Sequence, residues 1–356
     1  MSTQSILITG GAGFVGSSLA IGLGRHYPKA RIIALDNLKR RGSELNLPRL
    51  NDAGIKFFHG DIRIPADLDE IGPVDLLIEC SAEPSVMAGT DGAPNYLIDT
   101  NLLGSINCFE FARKHNAAVL FLSTSRVYPL ETLTDLSLIE SDTRFQIDAK
   151  QSVQGISDRG IAETCPLTGP RSLYGTTKLC SELLLQEYIA MYNIKGIINR
   201  CGIITGPWQM GKVDQGVVVL WAARHVYGGN LAYIGYEGTG KQVRDILHVN
   251  DLLKLIIHQV EHVDELSGEL FNVGGGLDIS ISLQELTTLC AAHSGNSINI
   301  TSVPEIREMD IPIYITDNTH VTQKTGWTPQ TSPDTIVAEI VNWLQKNEIA
   351  LKPILG

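Results

Sequence analysis

Several things are missing from this 356-residue chain, and each absence removes a class of function. No apolar run approaches the ~20 residues needed to cross a bilayer. The amino terminus runs straight into a strand, without the basic-then-apolar pattern of a signal peptide, so the expectation is a soluble, cytoplasmic protein. Cysteine is sparse: Cys80, Cys108, Cys165, Cys180, Cys201 and Cys290 are scattered and none falls in a Cys-x-x-Cys pair. Several sit in apolar runs, where cysteine behaves as a small buried hydrophobe, so neither a metal nor a disulfide framework is expected. Positive charge is short as well. With 28 basic and 39 acidic residues the net charge is −11, which argues against a nucleic-acid or anionic-membrane surface. An acidic chain can still hold an anionic ligand through a local arginine cluster. There is no internal repeat and no low-complexity tract.

What is present is an alternation. Ile6–Thr9, Arg31–Leu35, Ile55–His59, Val74–Glu79 and Ala117–Ser123 are short apolar runs, read as buried parallel strands. Between them lie helix-period segments, notably Phe14–Tyr27 and Asn95–His115. That pattern predicts an α/β fold, a Rossmann-type doubly wound parallel sheet. A long polar stretch follows from about 129 to 171, then an amphipathic helix over Tyr174–Tyr192 and a strand at Gly196–Arg200. Beyond Gly206 the pattern is irregular and reads as a smaller mixed α/β substrate domain. The expected division is 1–200, with an insertion at about 129–171, and 201–356, with segments exchanged between the two.

Thr9-Gly10-Gly11-Ala12-Gly13-Phe14-Val15-Gly16 closes the first strand and opens the first helix. Glycines at 10, 13 and 16 permit a tight turn, close backbone approach to a pyrophosphate and close helix packing. The phosphates would meet free N–H groups at the helix start. Asp36 ends the second strand at the distance expected for a carboxylate accepting from ribose hydroxyls, which favours NAD over NADP. Lys39, Arg40 and Arg41 follow and weaken that preference slightly. Asp61 and Ile62, after the third strand, would border the adenine.

Tyr174 and Lys178 in SLYGTTKLC are four apart on a helix and share one face. An ammonium beside a phenol favours the phenolate, which suits tyrosine to act as a general base. The hydroxyl-rich end of the fifth strand would bring Thr124 to the same reacting oxygen.

With these motifs the chain resembles the extended short-chain dehydrogenase/reductases that act on nucleotide sugars. The likeness also rests on Asp36-Asn37, GDIR at 60–63, Asn101, STSRVYP at 123–129, YGTTK at 174–178, GKQVRDILHVNDL at 240–252, FNVGGG and GWTP. It implies a Rossmann domain with a smaller sugar-nucleotide domain, bound NAD, a nucleotide-sugar substrate and a homodimer. It assigns catalysis to Thr124, Tyr174 and Lys178, and adds Asn37, Ser81, Asn101, Ser123 and Cys201 to the cofactor site, together with Tyr174 and Lys178, the latter holding the nicotinamide ribose. Branches that dehydrate or decarboxylate carry an acid just before the Val-Tyr pair, where this chain has Ser125-Arg126. Arginine stays charged and can neither remove nor supply the protons those reactions need.

The expectation is therefore an epimerase, one that oxidises a sugar hydroxyl to a transient ketone and returns hydride to the other face. Among epimerases the likeness is to CDP-paratose (CDP-tyvelose) 2-epimerases, through GKQVRD, Arg307-Glu308-Met309-Asp310, the basic residue before Val-Tyr, the long insertion and Asp214-Gln215-Gly216. A nucleotide-hexose 4-epimerase is the alternative, and a non-catalytic NAD-binding regulator is an alternative of a different class. Glu79-Cys80-Ser81 departs from the histidine-containing strand end the resemblance implies, and Cys201-Gly202-Ile203 from more polar residues. Arg244 and Arg307 are candidates for the diphosphate, as guanidinium forks match its oxygens. Gln209, Asp214 and Gln215 lie on a polar loop that either covers the sugar or is a solvated connection. Arg126 contacts the sugar or a carboxylate, or points to solvent.

Overall fold

Ile6, Leu7 and Ile8 are fully buried, as residues of a strand paired on both edges and covered on both faces must be. The computed structural model describes residues 4–89, 92–211 and 215–356. Its main sheet has the order Leu270–Val273, Gly196–Cys201, Ala118–Thr124, Leu76–Glu79, Ser5–Thr9, Arg31–Asp36, Lys56–His59. Pairing from Gly196–Cys201 through Lys56–His59 is parallel. Strand order reverses between Ser5–Thr9 and Leu76–Glu79, and at such a point the diverging connections leave a crevice at the carboxyl ends. Thr9 lies there, in register with Leu35 on one side and Glu79 on the other. On one face of this sheet Val119, Phe121 and Ile198 form a buried cluster with Phe109, Phe111 and Leu185. Phe109 and Phe121 meet edge to face at 5.7 Å.

The helix expected over Asn95–His115 is not uniform. It runs as Asn95–Ile98, widens to a π turn over Asp99–Leu103, and resumes as Gly104–His115. The reason lies in Asn101, whose Oδ1 accepts from the Glu83 N–H and whose Nδ2 donates to the Glu83 carbonyl. Its own carbonyl accepts from the hydroxyls of Ser105 and Ser181, a load that a regular turn seldom carries.

The chain folds into two compact units. Residues 1–127, 172–201 and 252–271 form the first; 128–171, 202–251 and 272–356 form the second. In the second, Val243–His248 pairs with Ile203–Thr205, Ser280–Ser282 and Ile313–Tyr314. Leu231–Ile234 pairs in parallel with Ile300–Val303. Helices Val217–Tyr227, Leu283–Ser294 and Pro333–Lys346 bury Val219, Trp221, Leu286, Ile336 and Ile340. The polar stretch 129–171 is more ordered than its composition suggests. It holds a short helix, Leu130–Thr134, and two hairpins, Leu138–Glu140 with Phe145–Ile147 and Ile156–Ser157 with Gly160–Ile161. Arg144 anchors it through a fork on Glu285 (2.9 and 2.6 Å) and a bond to the Ser280 carbonyl (2.9 Å). No helix among the described residues is long and apolar enough to cross a membrane.

Candidate active site

The turn after the first strand has the shape its glycines promised. Gly13 donates its N–H to the Gly10 carbonyl at 2.9 Å, and Ala12 donates to Asp36 at 3.1 Å. A Cβ on Gly16 would lie 2.1 Å from the Gly10 oxygen, so the helix could not close on the turn with any larger residue. A Cβ on Gly13 would meet only that same oxygen, at 3.0 Å, and otherwise open space, which leaves room for a phosphate group. Gly13, Phe14 and Val15 are half-buried around this opening. Asn46 donates to the Ala12 carbonyl at 2.8 Å and holds the turn from the side.

Asp36 accepts from Ala12 and from Leu38 (2.8 Å). Burial raises its carboxyl above the ordinary carboxylate value, and those N–H groups pull in the other direction. Beside it Asn37 donates to Asp61 at 2.9 Å, and Arg63 grips Asp61 at 2.6 Å. Burial works against the Asp61 carboxylate, but the Arg63 and Asn37 bonds outweigh it and hold the group down at about 2. Ile62 is buried next to it. Lys39, first of the basic run, places its ammonium over the Tyr96 ring at 3.1 Å, and Arg63 approaches the same ring at 4.8 Å.

At the end of the fifth strand, Thr124 is hydrogen-bonded to the Tyr174 phenol and accepts from the Arg126 N–H at 3.2 Å. The helix Leu173–Tyr192 is started by Ser172, whose hydroxyl accepts from Gly175 at 3.1 Å, and it presents Tyr174 and Lys178 one turn apart. Burial raises the Tyr174 phenol above its ordinary value. Lys178, the Thr124 bond and Arg126 act in the opposite direction, and Cys201 adds to the rise. The expected lowering by Lys178 is thus present as a force but does not win in this structure, because the phenol is almost wholly buried. Cys201, paired in register with Thr124, is itself buried and its thiol is pushed up to about 12.

Motif residues at this site make three sets of contacts that sequence spacing did not indicate. Lys178 is 2 % exposed and its Nζ lies 3.4 Å from Oε2 of Glu79, which is 0 % exposed. Ser123 gives its hydroxyl to Glu182, and Glu182 is forked by Arg200 at 2.7 to 3.1 Å. Asn101 ties the Glu83 loop to Thr177 through its amide (3.4 Å). Ser81 lies half-exposed beyond Glu79. Only sheet order brings these residues together, and sequence spacing carries no sign of it.

Of the expected substrate residues of the second unit, Arg244 and Gln209 are engaged within that unit. Arg244 donates to Asp310 (3.0 Å) and to the Ile311 carbonyl (2.7 Å). Arg307 is exposed on the segment before Asp310. Gln209 folds back, accepting from Thr205 and donating to the Ile204 carbonyl. Gln215 is half-buried, and Asp214 lies outside the described residues. Asp245 is fully buried and accepts from the N–H groups of Gly276 and Thr316, a structural role. Among the described residues no group of three or more His, Cys, Asp or Glu could hold a metal ion.

Comparison with known proteins agrees with this geometry. Residues 6–274 match the model of the NAD dependent epimerase/dehydratase family. A CDP-paratose 2-epimerase from Salmonella typhi is 29% identical over 348 residues, spanning 96% of this chain and 99% of its own. The dTDP-glucose 4,6-dehydratase of Escherichia coli is 25% identical over 372 residues, 97% of this chain and 94% of its own. DesIV of Streptomyces venezuelae, a dTDP-glucose 4,6-dehydratase solved with NAD bound, superposes with a TM-score of 0.78 at 26% identity, over 98% of this chain and 99% of its own.

Proposed function

As the chain belongs to the NAD dependent epimerase/dehydratase family, we propose that it is an NAD-dependent nucleotide-sugar epimerase, of the CDP-hexose 2-epimerase kind. The observation that carries this reading is Arg126. It stands in the segment between the Thr124 hydroxyl and the Val127-Tyr128 pair, and its charge bears on Tyr174. A dehydratase needs an acid and a base besides the tyrosine, and a permanently charged guanidinium supplies neither. Glu79 does not replace them, since it is sealed from solvent and engaged by Lys178. The 29% identity to a CDP-paratose 2-epimerase along almost the full length supports the finer choice of substrate.

The residues fit the cofactor: the glycine turn would receive its diphosphate and Asp36 its adenosine ribose, with Asp61 and Ile62 beside the adenine. NAD supplies the hydride acceptor for the sugar carbon. Tyr174 takes the proton of the sugar hydroxyl as the ketone forms and returns it afterwards. Thr124 orients that hydroxyl through its bond to the phenol, and the Lys178 ammonium favours the phenolate while the proton is away. Return of hydride to the other face of the ketone would invert the carbon with no net oxidation, so a bound cofactor would be reused.

The experiment is a panel of nucleotide sugars, CDP-hexoses first, followed for inversion at C2 and C4 by proton NMR. Tyr174→Phe is expected to lower turnover by roughly 10²–10⁴-fold while NAD still binds. Inversion at C4 alone would select the 4-epimerase reading. Conversion of no sugar, with NAD binding altering a protein partner, would select the regulator. A homodimer belongs to this reading and is supported by the apolar residues Leu183 (54% exposed), Met191 (68%) and Tyr192 (49%) on the Leu173–Tyr192 helix. A sedimentation mass of one chain would remove it.

A further inference from the structure

Glu79 ends its strand at the point where strand order reverses, in register with Thr9 on one side and Phe121 on the other. Neither it nor Lys178 reaches solvent appreciably, so the two charges meet without screening by water. The Lys178 ammonium also stands 4.4 Å from the Phe121 ring centroid, so its position is set by a carboxylate and an aromatic face together. Tyr174 lies one helical turn away on the same face and feels that ammonium directly.

We propose that Glu79 is a positioning residue for the chemistry of Tyr174: its ion pair fixes the Lys178 ammonium and offsets much of the field that the ammonium exerts on the phenol. This rests on the assignment of Tyr174 as the proton acceptor, made above. The carboxylate acts through the lysine and touches no reacting atom. Its effect is to hold the phenol protonated in the resting site, ready to be shifted by further positive charge brought beside it.

The groups facing the phenol are Lys178 from its own helix, Thr124 from the fifth strand, Arg126 from the following turn and Cys201 from the neighbouring strand. Those facing Glu79 are Lys178, the Thr9 hydroxyl and the Ser81 N–H, all of which favour its ionised form against the opposing effect of burial. Cys80 and Cys108 lie within its field. Of these charges only Glu79 opposes the lysine at close range.

The test is an ultraviolet phenolate titration of the NAD-bound protein, read as the difference between each form and the same form carrying Tyr174→Phe, which isolates one tyrosine among ten. Glu79→Gln should move the Tyr174 midpoint to lower pH by about one unit, a tenfold gain in phenolate at a fixed pH below it. Superimposed titrations, or a shift to higher pH, would overturn the proposal, since a merely structural Glu79 alters stability and leaves the midpoint alone. Should Glu79→Gln not fold, Glu79→Asp serves: the charge withdrawn by one methylene should shift the midpoint in the same direction by less, and no shift again overturns the idea. The readout needs no substrate. If no nucleotide sugar is converted, the epimerase reading fails while the titration still decides the role of Glu79.

Discussion

Among the described residues of the first unit two buried ion pairs stand out, and they are built differently. Arg200 and Glu182 form a fork, with a closest contact of 2.7 Å and the Ser123 hydroxyl added to the same carboxylate. Lys178 and Glu79 meet at one contact of 3.4 Å. The fork saturates its carboxylate and contains a cation that cannot shed its proton. The single contact joins two groups that can both exchange protons, beside the tyrosine proposed to do chemistry. One pair is built to stay fixed and the other can respond.

Removing one partner from each pair should separate them. Glu182→Gln leaves a buried guanidinium without its counter-charge and should cost roughly 3–5 kcal/mol of stability. Because arginine cannot neutralise itself, that loss should be flat across the neutral range of a thermal-melt series; a steep pH dependence would break the comparison. Lys178→Met should cost less, roughly 1–3 kcal/mol at neutral pH, and its cost should vary with pH. Burial raises the Glu79 carboxyl, so a proton can quench the orphaned charge. A raised folded value means that the stability is greatest below the ordinary carboxylate value and declines as pH rises through the folded one. The Lys178→Met melting point should therefore climb toward acid relative to the parent. A constant gap would show that Glu79 is not the group responding.

The smallest effect is expected at the surface. Arg63 holds Asp61 at about 2, and a depressed carboxylate stabilises above its ordinary value and loses that contribution as pH falls through the folded one. Arg63 is 35% exposed on its side chain, so Arg63→Met should cost less than about 1 kcal/mol at neutral pH. Parent and variant melts should converge near pH 2.

The same contrast explains what could be read from sequence. Ser5–Thr9, Arg31–Asp36 and Ala118–Thr124 lie within a residue or two of the apolar runs that announced them, because a strand covered on both faces must be apolar throughout. Gly16 and Asp36 were legible because one turn imposes both. The Tyr174–Lys178 pair was legible because a single helix spans it. Glu79 and Lys178 are 99 residues apart and Glu182 and Arg200 sit on different elements, so their meeting depends on which strands are neighbours. Periodicity does not encode that. The hairpins of 138–161 escaped for another reason: they are tied to distant chain, the first through Arg144 on Glu285, 141 residues away, and the second through backbone bonds of Ile161 to Ile315 and Asp317.

The interleaving of the two units has a bearing on how this protein is made. The first unit takes up chain again at Ser172 and at Leu252, and ends only at Phe271. A ribosome must therefore release about three-quarters of the chain before that sheet can acquire its last edge, and segments of the second unit emerge in between. Domains ordinarily fold as they leave the tunnel, one after another. Here the first must wait while parts of the second emerge, and the second must wait for residues 272–356, which makes translation speed and chaperone capture natural determinants of yield. A clone cut between residues 1–200 and 201–356 would deliver two fragments that each lack part of their own sheet or core.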